Sequence, residues 1–162
     1  MKKILSILLL TISILSFAQF TVTDTSENWV EIGKAWNRVI LQQRTDKTKA
    51  KILYLDTNAI LNRNLYSPTT QYSFEFSTQE DTLEKIYEII KSHFESKKIE
   101  ELTLDFPEGK MYIDFYKTMG SYGVQFKFDN KSESLDKNSS GSKRETFGFN
   151  LNQVNKIFGK SR

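Results

Sequence analysis

From Leu102 to Phe128 the chain alternates apolar and polar residues in three successive runs, and this period of two constrains its fold more than any other feature. Leu102, Leu104 and Phe106 alternate with Glu101, Thr103 and Asp105. After Pro107-Glu108-Gly109, Met111, Ile113 and Phe115 alternate with Tyr112, Asp114 and Tyr116. Past Lys117-Thr118-Met119-Gly120, Tyr122, Val124, Phe126 and Phe128 alternate with Gly123, Gln125 and Lys127. Successive side chains of a strand point to opposite faces, so residues 100–128 read as an antiparallel meander with one apolar and one polar face.

A slip of one residue would carry a whole apolar face into water, so only loops of even length are admissible. Four-residue loops at 107–110 and 117–120 set Phe106 opposite Met111, Leu104 opposite Ile113 and Leu102 opposite Phe115. They also set Phe115 opposite Tyr122 and Ile113 opposite Val124. On the polar face this register puts Asp114 between Thr103 and Gly123, and Tyr112 between Asp105 and Gln125.

The apolar face needs a cover, and the preceding segment supplies one. Leu83, Ile86, Tyr87, Ile90 and Phe94 form a single helical stripe, with Glu84, Glu88, Lys91 and Glu95 on the other side. Ser77 and Glu80 have the spacing of a capping box, and Lys97 and Lys98 suit the negative end. The pattern predicts one long amphipathic helix over about 78–97, packed on the meander. Earlier strands are expected at 51–57 and at 71–77, where Tyr72, Phe74 and Phe76 share a face. Trp29, Ile32, Trp36 and Val39 or Ile40 fit a helix as well as a strand; β-branched and aromatic content favours strand through Val39-Ile40-Leu41. Residues 44–51 read as a charged turn. The polar stretch 129–146 reads as a mobile loop, and Asn150 as the cap of a short helix with Leu151, Val154 and Ile157/Phe158 on its apolar side, stopped by Gly159. The expected fold is one α+β domain over 29–162, a mostly antiparallel sheet of five or six strands with two helices. No internal sequence repeat is visible.

The N-terminus bears on location. Lys2 and Lys3 precede an apolar run from Ile4 to Leu15, and Ser16-Phe17-Ala18 offers a small-x-small exit. This pattern predicts a secretory signal peptide over 1–18, cut between Ala18 and Gln19, with 19–28 as a loose arm. The mature form is then expected to be secreted or periplasmic. No second apolar stretch approaches the length of a membrane span. There is no cysteine, which excludes disulfides, thiolate metal sites and a cysteine nucleophile. Without Lys2 and Lys3 the balance is 21 basic against 20 acidic side chains, far from the basic excess of a nucleic-acid binder. The charge is uneven, with seven basic and two acidic residues over 34–63 and five basic and eleven acidic over 75–114. Such asymmetry can steer a partner.

Two constellations bear on chemistry. The segment Lys51-Ile52-Leu53-Tyr54-Leu55-Asp56-Thr57-Asn58-Ala59-Ile60-Leu61 resembles the opening of PIN-domain nucleases. In that family such an aspartate is the first of several carboxylates that hold a divalent metal for phosphodiester hydrolysis. The resemblance covers eleven residues and implies that role for Asp56 alone. The other constellation is the polar face of the meander, where Thr103, Asp105, Tyr112, Asp114, Tyr116 and Gln125 stand together. Tyrosines offer large contact area with little entropy to lose, which suits a binding surface; paired carboxylates also serve acid–base hydrolysis. His93, the only histidine, lies on the flank of the helix stripe, and with no cysteine a conventional zinc site lacks ligands. No Gly-x-Ser-x-Gly elbow and no phosphate-cradling glycine loop occur. These observations lead to a non-enzymatic module that binds another envelope or extracellular protein, with no cofactor and no metal. A small carboxylate- or metal-dependent hydrolase using Asp105 and Asp114, or Asp56, is the alternative.

Overall fold

The computed structural model describes residues 28–57, 71–79, 81–130 and 143–160. Among the described residues, eight strands form two antiparallel sheets rather than one. In the first, β1 (Trp29–Ala35), β2 (Val39–Arg44), β3 (Lys49–Leu55) and β4 (Gln71–Ser77) lie side by side in chain order. Helix α1 (Thr82–Ser96) follows. The second sheet runs β5 (Glu101–Phe106), β6 (Gly109–Thr118), β7 (Ser121–Asn130) and β8 (Arg144–Glu145), again in chain order, and helix α2 (Leu151–Ile157) closes the described chain.

The apolar face of the meander is the one the alternation predicts: Met111, Ile113, Phe115, Val124, Phe126 and Phe128 are buried. Its cover differs from the expectation of a single long helix. Tyr54 and Phe74 of the first sheet lie 4.5 and 5.0 Å from the Phe128 ring, and Phe76 lies 4.7 Å from Phe106. The reason is dimensional. A helix is about 10 Å across, whereas four strands spaced about 4.8 Å apart present a wider face. The first sheet carries an apolar face of its own in Val39, Leu41, Ile52, Tyr54, Phe74 and Phe76, so the two faces bury each other.

Helix α1 is 15 residues long and begins at Thr82, four residues later than a Ser77 cap implies. Ser77 ends β4, and its hydroxyl donates instead to Glu108 Oε1 in the β5–β6 turn, joining the two sheets. The stripe faces inward as expected, with Ile86, Tyr87 and Ile90 buried. His93 stacks on Phe115 at 4.5 Å and reaches Glu100 Oε1 at 2.7 Å, tying the end of α1 to the approach to β5. Helix α2 has the expected Asn150 cap, completed by Gln153 into a capping box. It lies on β1, where Gly33 makes room: a Cβ there would stand 2.0 Å from the Lys156 carbonyl oxygen.

The parity of the meander is as predicted, but both registers are shifted by two. Phe106 faces Gly109, Leu104 faces Met111 and Leu102 faces Ile113; across β6–β7, Phe115 faces Val124 and Ile113 faces Phe126. The loops contain two residues each, not four. Met119 (φ 48°) and Gly120 (φ 82°) are both left-handed, the geometry that matches strand twist in the tightest hairpins. The segment 29–41 is not one strand but a hairpin, turning at Trp36-Asn37-Arg38 with no glycine or proline to mark it. Of the polar stretch expected as a loop over 129–146, Asp129 and Asn130 continue β7, Arg144 and Glu145 form β8, and Thr146 is buried; residues 131–142 lie outside the described residues. So do the leader 1–18 and the arm up to residue 27. No helix among the described residues is long and apolar enough to cross a membrane.

Candidate functional site

The outward face of the second sheet is built by β5, β6 and β7, whose inward neighbours are locked in the core. Thr103 and Asp105 are exposed there, and Tyr112, Asp114, Tyr116 and Gln125 are half-buried. All six residues predicted for the site therefore share one face. Their neighbours differ from the expected ones by the register shift. Asp114 stands between Glu101 and Gln125, and Tyr112 between Thr103 and Lys127.

The corrected register sets two carboxylates, Glu101 and Asp114, directly opposite each other, a destabilising pair on its own. Lys127 resolves it from the third strand, with its ammonium 2.8 Å from Asp114 and 3.0 Å from Glu101. The hydrogen bond to Asp114, and then that to Glu101, outweigh partial desolvation and hold the Lys127 ammonium above the usual lysine range. Asp105 pairs with Lys110 at 3.2 Å. Each aspartate that acid–base hydrolysis would employ is thus engaged with a lysine. Gln125 donates to the Thr146 carbonyl oxygen at 2.6 Å, which fixes the segment after β8 to the sheet.

The two tyrosines are held in place by different means. Tyr116 packs against Gly123, directly opposite on β7, and its hydroxyl rests against Gly148. A Cβ on Gly123 would come within 2.6 Å of that ring, and one on Gly148 within 1.7 Å of the hydroxyl. Burial first, and the nearby Asp114 charge second, push the Tyr116 hydroxyl above its ordinary value, so it stays a neutral donor. Tyr112 has the Lys143 ammonium 3.4 Å from its ring centre, and Lys143 also approaches Glu101 at 3.8 Å.

Sequence reasoning placed Glu101, Gly123 and Lys127 on this face but did not find Lys143 or Gly148, which arrive from the distant segment after β7. Nothing in local patterning signals their arrival. Gly123 was the available hint, since a glycine at an outward strand position marks a close approach.

Asp56 has another place. It follows β3, is 7% exposed, and its Oδ1 accepts the Glu145 backbone N–H at 3.2 Å, linking the first sheet to β8. Both sheets are antiparallel, not the alternation of helices with parallel strands that the nuclease resemblance implies. Among the described residues no group of three or more His, Cys, Asp or Glu side chains is gathered as a metal cage. Asn58 to Leu61 lie outside the described residues.

Comparison with protein-family models, with curated proteins and with solved structures finds no match to this chain.

Proposed function

We propose that this protein is a non-enzymatic binding module whose partner is another protein, and that the outward face of β5–β7 is the contact surface. The carrying observation is the fixed seating of Tyr116 over Gly123 and against Gly148, beside Tyr112 under Lys143. Aromatic side chains already immobilised before contact lose little entropy on binding, which is how preorganised anchors gain affinity. The surrounding ion pairs supply a polar rim that fixes orientation more than strength. Carboxylates tied to lysines fit that rim better than they fit proton transfer.

The place of action follows from the leader. With residues 1–18 removed at Gln19, the mature form works in the periplasm or outside the cell, without a membrane span. Its partner is then an envelope or extracellular protein, and a charge of +1 gives no reason to involve nucleic acid.

The test is affinity capture from envelope and secreted extract, with the Tyr112→Ala/Tyr116→Ala variant on a parallel column. The variant must first keep the wild-type melting curve. A protein retained by the wild type, released by the variant, and binding again after purification supports the reading. Equal retention by both columns, or none by either, contradicts it.

A further inference from the structure

Trp36 and Asn37 turn the β1–β2 hairpin with both residues left-handed, at φ 51° and 56°. Asparagine adopts that conformation readily, whereas a bulky side chain crowds the backbone there. The same indole is 59% exposed. Trp36 therefore carries two local costs, a strained backbone and wet aromatic surface, in a turn that glycine or asparagine would form with neither. Strain of this kind points to a task for the residue that carries it.

The surroundings give that task a chemistry. The Arg38 guanidinium carbon lies 4.3 Å from the centre of the Phe147 ring and 5.9 Å from that of Trp36. The backbone of Arg38 is held twice: its N–H donates to the Ala35 carbonyl at 3.0 Å, and its carbonyl accepts from Leu55 N–H at 3.1 Å. Among the described residues no carboxylate lies within ion-pair distance of Arg38, whereas Lys34 on the same hairpin is paired with Glu31. A guanidinium resting on a ring keeps its in-plane N–H fork directed outward, and that fork matches a carboxylate bidentately. Phe147 is also the chain neighbour of Gly148, against which the Tyr116 hydroxyl rests.

We infer that Trp36, Arg38 and Phe147 anchor an acidic segment of the partner protein. An Asp or Glu side chain meets the Arg38 fork, and an apolar neighbour of that residue packs on the Trp36 indole. The inference rests on the binding reading above and supplies the partner's chemistry. On this hairpin Lys34 and Arg44 are paired with Glu31 and Asp46, which leaves Arg38 as the charge that draws such a segment.

A random peptide library displayed on phage and selected on the immobilised protein tests it. Recovered peptides are expected to be enriched in Asp or Glu beside an aromatic or large apolar residue. A representative synthetic peptide should bind Arg38→Gln about tenfold or more weakly, the scale of a lost charge-assisted hydrogen bond. Trp36→Asn should also weaken it, while its melting temperature reads the balance between the relieved turn and the lost contact of the indole with Phe149, 6.3 Å away between ring centres. Peptides without acidic enrichment, or undiminished binding to Arg38→Gln, overturn the anchor. Peptides that lose affinity for Tyr112→Ala/Tyr116→Ala but not for Arg38→Gln leave the tyrosine face standing and sink the anchor alone. Recovery of no peptide counts against both. A labelled single-stranded oligonucleotide is titrated in parallel; if it binds more tightly than the peptide and Arg38→Gln abolishes that binding, the anchor belongs to nucleic-acid phosphate and the inference fails.

Discussion

Two glycines decide where Tyr116 sits. Gly148 leaves space for the hydroxyl and Gly123 for the ring, so a single added methyl at either point displaces the side chain. Gly148→Ala is expected to cost about 1–3 kcal/mol, the usual penalty of overpacking, and to free the tyrosine. The midpoint of urea unfolding reads the first effect, and the near-ultraviolet circular dichroism of tyrosine reads the second. The same burial gives Tyr116 a pH signature. Its hydroxyl holds its proton more tightly in the folded chain than in the unfolded one. The contribution to stability is therefore complete below about pH 10, the unfolded value, and is lost as pH rises through the folded value. Tyr116→Phe should flatten that part of the alkaline stability profile. An unchanged profile in the variant would show that the hydroxyl is not the group responsible.

At the scale of elements, patterns of period two and of helical period reveal faces but not partners or registers. Every strand from β4 onward, apart from the two-residue β8, shows its inward side in the sequence, because alternation is a local property, whereas the unbroken apolar run Ile52-Leu53-Tyr54-Leu55 of β3 does not say which side faces in. The meander register differs by two from the one that parity suggests, because parity alone admits four-residue loops, and the two-residue β6–β7 turn depends on Met119 adopting a left-handed conformation that methionine does not advertise. The β1–β2 turn is hidden in the sequence for the same reason, with tryptophan where a turn normally has glycine. Ser77 does not cap α1 because its hydroxyl has a remote partner in Glu108. The cap of α2 was legible because Asn150 and Gln153 meet within one turn. Asn150→Ala should lower stability by about 1 kcal/mol, measured by denaturant unfolding, since it strips the first turn of its reciprocal bonds.

For the molecule as a whole, the aromatic layer between the sheets is the principal bond. Phe128 of the second sheet meets Tyr54 and Phe74 of the first, and Tyr87 of α1 meets Phe158 after α2. With one shared core, neither sheet has an apolar face to bury alone. Heat or denaturant should thus unfold both in a single transition, and fluorescence of Trp29 and Trp36 on the first sheet should coincide with far-ultraviolet circular dichroism of the whole chain. Phe128→Ala should cost about 3–5 kcal/mol without splitting that transition. Two separated transitions would mean that the sheets are independent. The alternation in the second half exposes the need for such a layer, but the pairing of the two sheets depends on contacts between residues far apart in the chain, and local pattern does not encode them.

The outward face of β5–β7 is where this shared core places its preorganised tyrosines, and the claim that they meet a partner is open to direct measurement. Hydroxyl-radical footprinting of the protein with and without envelope and secreted extract, read by mass spectrometry, reports contact at single residues. Tyr112 and Tyr116 are predicted to lose labelling when the extract is present, while Trp29 on the opposite sheet keeps its own. Equal labelling of the two tyrosines in both conditions would contradict a binding role for this face.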